Sequence, residues 1–241
     1  FFAWGMQNFP ARHYALVLWN HGSGVFDGFP PGQRGTAEGA FSRSQAVAID
    51  WTAGNDALTT REYARALGRA VAAAGKRLDL LCFDACYMAM VEVAAEIAAG
   101  EGGPFAAYLV ASEAAVPGAG LDYQAILSWL AGHSGADAAE LASFIVDSYA
   151  ATYASSWSQG VISCALCLGG EKWSLFLAAL GQLAEAIATG DEGLKACARE
   201  AALAAYSFVD YRYPVNRDLL DFVRVLGEKA TGYRIDRKSV V

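Results

Sequence analysis

Four short apolar runs, residues 14–19, 78–83, 108–111 and 161–168, stand out from the more polar chain around them. Each is hydrophobic at nearly every position and not at every second one, the pattern of strands covered on both faces in a parallel sheet. Between these runs the apolar positions recur at helical spacing. Thr59 and Glu62 frame a capping box, Tyr63, Leu67, Ala70, Val71 and Ala74 then line one face, and Gly75 is placed to end the helix. A second helix is predicted over 88–99, with Glu92 and Glu96 one turn apart on its polar side. A third opens at Asp137 and Glu140 and repeats Leu141, Ile145, Tyr149 and Tyr153 at every fourth position. Two more span 173–188 and 194–207, and Asn216 or Asp218 opens a last short one.

Strands alternating with helices predict an α/β fold, a doubly wound sandwich with a mostly parallel sheet. No internal repeat and no clear interdomain linker interrupt the pattern. The one long irregular stretch, 22–50, carries Pro30 and Pro31 among several glycines, and a loop of that length is usually functional or mobile. Phe1, Phe2, Ala3 and Trp4 read as the tail of a helix more than as a start. The last six residues, Asp236-Arg-Lys-Ser-Val-Val241, can be encoded in frame by a common sequencing-adapter sequence. The expectation is one domain over 1–235 and a non-native tail over 236–241.

Composition narrows the class. With 241 residues, 55% of them hydrophobic, the chain is large and apolar enough for a proper core. No apolar run reaches membrane-spanning length without interruption. The net charge of −7, with no cluster of Lys and Arg, argues against a nucleic-acid footprint and mildly favours an electropositive partner. Five cysteines at open spacing are not a disulfide framework. Cys164 and Cys167 sit within one apolar run, where three positions apart they point to opposite faces, so they read as small core residues and not as a metal clip.

Two strands deliver reactive groups to the carboxyl edge of the sheet, where open α/β folds form their sites. The first runs into Asn20-His21-Gly22-Ser23-Gly24, the other into Asp84-Ala85-Cys86. With a helix following, Cys86 is expected at a helix N-terminus, whose dipole and free N–H groups favour a thiolate. His21 could take the thiol proton or protonate a leaving amine. The glycines after it let backbone N–H groups approach a substrate, as an oxyanion hole requires. On spacing alone the plainer reading stands beside this one: a lone cysteine at a strand end is more often core, and His21 could simply satisfy a turn. His13 and His133 compete as bases, but His13 precedes its strand and His133 lies in a helix-connecting loop. A nucleotide loop at Gly22-Ser23-Gly24 is disfavoured because no helix pattern follows it.

Three blocks, in order, carry a resemblance. Tyr14-Ala-Leu-Val-Leu-Trp-Asn-His-Gly-Ser-Gly24 looks like the histidine motif of the clostripain-like cysteine peptidases, and Phe83-Asp-Ala-Cys-Tyr-Met-Ala-Met-Val-Glu-Val93 like their cysteine motif. Ala111-Ser-Glu113 followed by Pro117-Gly-Ala-Gly-Leu-Asp-Tyr123 resembles a third block of that family, and weaker similarity extends from Asn8 to about Phe222. The resemblance implies a caspase-like three-layer sandwich and a Cys–His dyad, with Cys86 as nucleophile and His21 as general acid/base. It implies an oxyanion hole from the N–H groups of Gly22 and Cys86. It places Asp84, Ser112 and Glu113 along a primary specificity pocket for Arg or Lys. Two carboxylates, Asp84 and Glu113, converging there would match a guanidinium fork and favour Arg over Lys.

The same resemblance implies a secreted or periplasmic bacterial endopeptidase with a peptide or protein substrate. It implies no required cofactor, with calcium possible through unassigned ligands, and maturation by cleavage after Arg34 or Arg43 in the Pro/Gly-rich loop. Val25 stands where the family has an aromatic and Tyr87 where it has Leu. The family's additional strands before Asn8 have no counterpart, so the domain is expected to be truncated at its N-terminus. A silent binding domain of the same fold and a Cys–His transamidase are the alternatives.

Overall fold

The two strands that carry the histidine and cysteine motifs lie side by side. In the structure, a computed structural model, residues 1–24, 46–50, 52, 56–100, 103–154, 162–208 and 216–231 are described. The chain divides into two compact units, Phe1–Gly170 and Glu171–Val241.

The first unit opens with α1 (Phe2–Asn8), in which Phe2, Ala3 and Trp4 form the first turn and not the expected tail, and β1 (Ala15–Trp19). A two-stranded antiparallel pair follows, β2 (Ala46–Asp50) with β3 (Asp56–Thr59), so the end of the supposedly irregular 22–50 stretch is regular. Then come α2 (Thr60–Ala74), β4 (Leu78–Asp84), α3 (Val91–Ala98), β5 (Ala106–Ser112), α4 (Tyr123–Gly132), α5 (Ala138–Tyr153) and β6 (Ser163–Cys167). The main sheet has the order β1-β4-β5-β6; β1, β4 and β5 are parallel, and β6 runs antiparallel to β5.

Local chemistry sets the helix ends. Thr59 and Glu62 exchange both bonds of a capping box at the start of α2, and Gly75 ends that helix at φ 65°, a left-handed turn that costs glycine little. Asp137 and Glu140 form the same box on α5. Alternation along β4 then sorts the layers. Leu80 and Cys82, with Val110 of β5, pack against Ile126, Ala142, Ile145 and Tyr149 of α4 and α5. Phe83 faces the other way, its ring 5.5 Å from that of Tyr63 on α2. Helices therefore cover both faces of the sheet centre, giving three layers.

The outer strands depart from expectation. β4 is buried along almost its whole length, but β1 alternates between half-buried and exposed positions, with Trp19 66% and Val17 39% exposed. β6 is similar, and Cys167 is exposed and so is not a core residue, while Cys164 is half-buried. These strands lie outermost among the described strands of the sheet, where the flanking helices cover them only in part. An apolar run does not reveal that position.

The second unit contains α6 (Glu171–Thr189), α7 (Glu192–Ala204) and α8 (Leu219–Lys229). Asp191 and Asp218 accept N–H bonds at the starts of α7 and α8. Ala198, Ala201, Val225 and Leu226 form its small core, with Leu183 and Ile187 packed against it.

Candidate active site

Register brings the two motifs together. Trp19 at the end of β1 lies opposite Asp84 at the end of β4, and the next residue, Asn20, donates its N–H to the Asp84 carbonyl oxygen at 3.4 Å. Both chains thus leave the sheet at one edge. Beyond it Gly22 is buried against the turn that holds Cys86: a Cβ on Gly22 would lie 2.5 Å from the Cys86 carbonyl oxygen and 3.0 Å from Cβ of Ala85. Only a residue without a side chain fits there. The His21 carbonyl accepts the Ala48 N–H at 3.1 Å, and the His21 N–H donates to Oδ1 of Asn20 at 2.6 Å, which fixes the backbone of the histidine loop.

A third segment closes the site. Tyr87, next to Cys86, adopts φ 60°, a left-handed conformation uncommon for a bulky residue and a mark of local strain. Its N–H donates to the Ala114 carbonyl at 3.1 Å and that of Ala89 to the Ser112 carbonyl at 3.0 Å, stitching the cysteine turn to the end of β5. The three segments line a half-open cavity of about 290 Å³. Trp19, Asn20 and His21 line it from β1, Asp84 and Cys86 from β4, and Val116, Pro117, Gly118 and Gly120 from the loop after β5.

Cys86 does not sit at a helix N-terminus. α3 begins only at Val91, after the segment Tyr87 to Met90 has turned beneath the loop that follows β5. The helix dipole falls off within its first turn and gives the thiol little help. Burial pushes the Cys86 thiol up, opposed by the hydrogen bond from the Val116 N–H, whose nitrogen lies 3.2 Å from Sγ. A thiol needs a proton acceptor before its sulfur can act as a nucleophile. His21, exposed and lining the same cavity, is placed to supply one.

Asp84 is the other chemical feature. It is 3% exposed; Oδ2 accepts the Leu121 N–H at 3.1 Å and the Tyr123 hydroxyl at 2.7 Å, while Oδ1 is buried without a hydrogen-bond partner. Gly120, at φ 66°, passes so close that a Cβ would lie 2.5 Å from Oδ2, and the Tyr153 hydroxyl holds the Gly120 carbonyl at 2.6 Å. Oδ1 thus keeps the capacity to accept a further hydrogen bond.

The other expected pocket residues fall elsewhere. Ser112 is buried and turned to the backbone, its hydroxyl 2.5 Å from the Ile162 carbonyl and 3.0 Å from that of Ala114. Glu113 does not line the cavity. Burial and then the nearby Glu113 carboxylate push the Cys164 thiol on β6 up to about 12. Asp84 is therefore the one of the two carboxylates that lines the cavity. Arg34 and Arg43 lie outside the described residues. His13 joins Asp79 at 3.0 Å, at the start of β4 and away from the reactive edge. His133 ends α4, stacked on Trp129. Cys82 is fully buried, its thiol pushed up to about 12 by burial and then by Asp84.

Sequence reasoning did not find Val116 or the roles of Tyr123 and Tyr153. The signal within reach was Gly120, since a glycine after Pro117-Gly118 marks a close backbone approach. Among the described residues no group of three or more His, Cys, Asp or Glu could hold a metal ion, and no helix is long and apolar enough to cross a membrane.

A mostly parallel sheet with helices on both faces, presenting His21 and Cys86 at one edge, is a caspase-like architecture. The chain belongs to the clostripain family of peptidases, whose model matches residues 1–235. A secreted cysteine protease of this family from Bacteroides thetaiotaomicron, solved with an irreversible peptide inhibitor, shares the fold at TM-score 0.54 and 21% identity, over 99% of this chain and 59% of that one. The same organism's secreted protease iotapain superposes at TM-score 0.53 and 18% identity, over 95% of this chain and 60% of its own. The chain thus spans about 60% of the length of these relatives. No curated protein matches it closely enough to count as a relative.

Proposed function

We propose that this chain carries the catalytic region of a cysteine endopeptidase that hydrolyses peptide bonds after basic residues. The observation that carries the reading is the meeting of Cys86, His21 and Asp84 in one cavity, from two adjacent parallel strands. Family membership agrees with it.

In this reading the substrate's basic side chain enters beside Asp84 and meets the unpartnered Oδ1, which sets the preceding carbonyl over Cys86. His21 takes the thiol proton as Sγ attacks. The oxyanion forms against the N–H groups of Gly22 and Cys86, whose backbones already touch. Collapse returns the proton from His21 to the leaving amine and leaves a thioester on Cys86. Water, deprotonated by His21, then releases the acid and restores the thiol. With Glu113 outside the cavity, a single carboxylate faces the cation, and one of its oxygens already accepts two bonds. Arg loses the second carboxylate that favoured it over Lys, so both serve as substrates. Export, and maturation by cleavage after Arg34 or Arg43, belong to the same reading; the two solved relatives are secreted proteases.

The test is a panel of fluorogenic peptides ending in Arg, Lys, Ala or Leu, together with an arginyl chloromethyl ketone. Cleavage restricted to Arg and Lys, and an adduct on Cys86 that His21→Ala suppresses, are expected. A folded protein that cleaves none of the panel and takes no adduct is a binding domain, and the proposal fails.

A further inference from the structure

We infer that the backbone N–H of Val116 is the group that orients and stabilises the Cys86 sulfur as it becomes charged, the task a helix N-terminus performs elsewhere. The inference rests on Cys86 being the nucleophile. Both backbone polar groups of Val116 face Sγ, the N–H at 3.2 Å and the carbonyl at 3.9 Å. A neutral thiol can accept from the first and donate weakly to the second. A thiolate keeps only the first, which then becomes a charge-assisted bond. In the neutral state the pair therefore holds Sγ in one orientation, and ionisation strengthens the bond that remains.

The loop bearing Val116 is built to hold that N–H in place. Five residues further on, the Leu121 N–H grips Oδ2 of Asp84. Between them the Gly120 N–H closes a turn on the Pro117 carbonyl at 2.8 Å, and Tyr153 fixes the Gly120 carbonyl. The Val116 side chain packs on the core formed by β4, β5, α4 and α5. One short loop thus contacts the nucleophile at one end and the candidate specificity carboxylate at the other. The charged and titratable groups facing Cys86 are Asp84 on β4, which disfavours ionisation, His21 beyond β1, and Tyr149 on α5. Among the described residues no Lys or Arg lines this cavity, so beside His21, which becomes cationic only on taking the proton, the backbone N–H groups supply the standing positive potential.

The experiment reads Cys86 directly, through the pH dependence of its alkylation by iodoacetamide in the full chain, followed by mass spectrometry. Val116→Pro deletes the N–H; Val116→Ala keeps it. The proline variant should move the alkylation midpoint upward and slow alkylation at neutral pH about tenfold, the worth of one hydrogen bond to a charged group. The alanine variant should keep the midpoint of the parent. If the proline variant does not fold, the parent labelled with 15N-valine gives the answer. The Val116 amide resonance, assigned by its absence in Val116→Ala, should titrate with the alkylation midpoint. An unmoved midpoint in folded Val116→Pro, or a Val116 amide indifferent to Cys86 ionisation, overturns the inference. Absence of peptidase activity with normal Cys86 titration would instead count against the proposed function.

Discussion

The backbone of Gly22 lies against that of Cys86 so closely that a single added methyl would come within 2.5 Å of the Cys86 carbonyl oxygen. This contact joins the histidine loop after β1 to the cysteine turn after β4, and it sets the two N–H groups proposed to receive the oxyanion.

Gly22→Ala should therefore force the loops apart while the sheet remains. A loss of at least about 10²-fold in kcat/KM is expected, the scale of a misplaced oxyanion donor. Peptide hydrolysis measured beside far-ultraviolet circular dichroism checks it; full activity in the alanine variant would remove Gly22 from the machinery.

The two thiols on β4 and beyond it should behave oppositely. Cys86→Ala should abolish turnover, and His21→Ala should cost at least about 10²-fold by removing proton transfer. Cys82→Ala should retain turnover and lose about 1 kcal/mol of stability, because a fully buried sulfur leaves a small cavity behind. Kinetics and urea unfolding of the three variants separate these roles.

Gly120 is placed to test the pocket. Its φ of 66° and its proximity to the Asp84 carboxylate both reject a side chain. Gly120→Ala should lower stability by about 1–2 kcal/mol and raise KM for Arg and Lys peptides more than it lowers kcat. Asp84→Asn should erase the preference for basic residues. Unchanged selectivity in Asp84→Asn would place the determinant elsewhere.

Acid should weaken the other edge of the sheet through Asp79. Burial acts to raise its pKa, but the bond with His13, the Tyr14 N–H at 2.8 Å, and the charges of His13 and Lys76 outweigh it, and the net shift is downward. A carboxylate whose folded pKa is depressed contributes stability that is fully present above its unfolded value of about 3.9. That contribution is lost as pH falls through the lower folded value. Thermal unfolding followed from neutral pH down through that range should show Asp79→Asn less stable than the parent at neutral pH, with the difference closing on acidification.

Much of this was legible in the chain because it is local. The capping pairs Thr59–Glu62 and Asp137–Glu140, the stop at Gly75, the four strands and the placement of His21 and Cys86 just beyond two of them follow from residues a few positions apart. The tertiary structure decided what depends on distant neighbours. It made β1 and β6 the outer strands of the described sheet, reversed β6 against β5, and sent Glu113 toward Cys164. It also set Val116 on Sγ across thirty positions of sequence, in place of the expected helix N-terminus. Hydrophobic runs and caps report a residue's own strand or helix. The partner of a thiol or a carboxylate is set by sheet order and by where a loop returns, and no short window of sequence carries either.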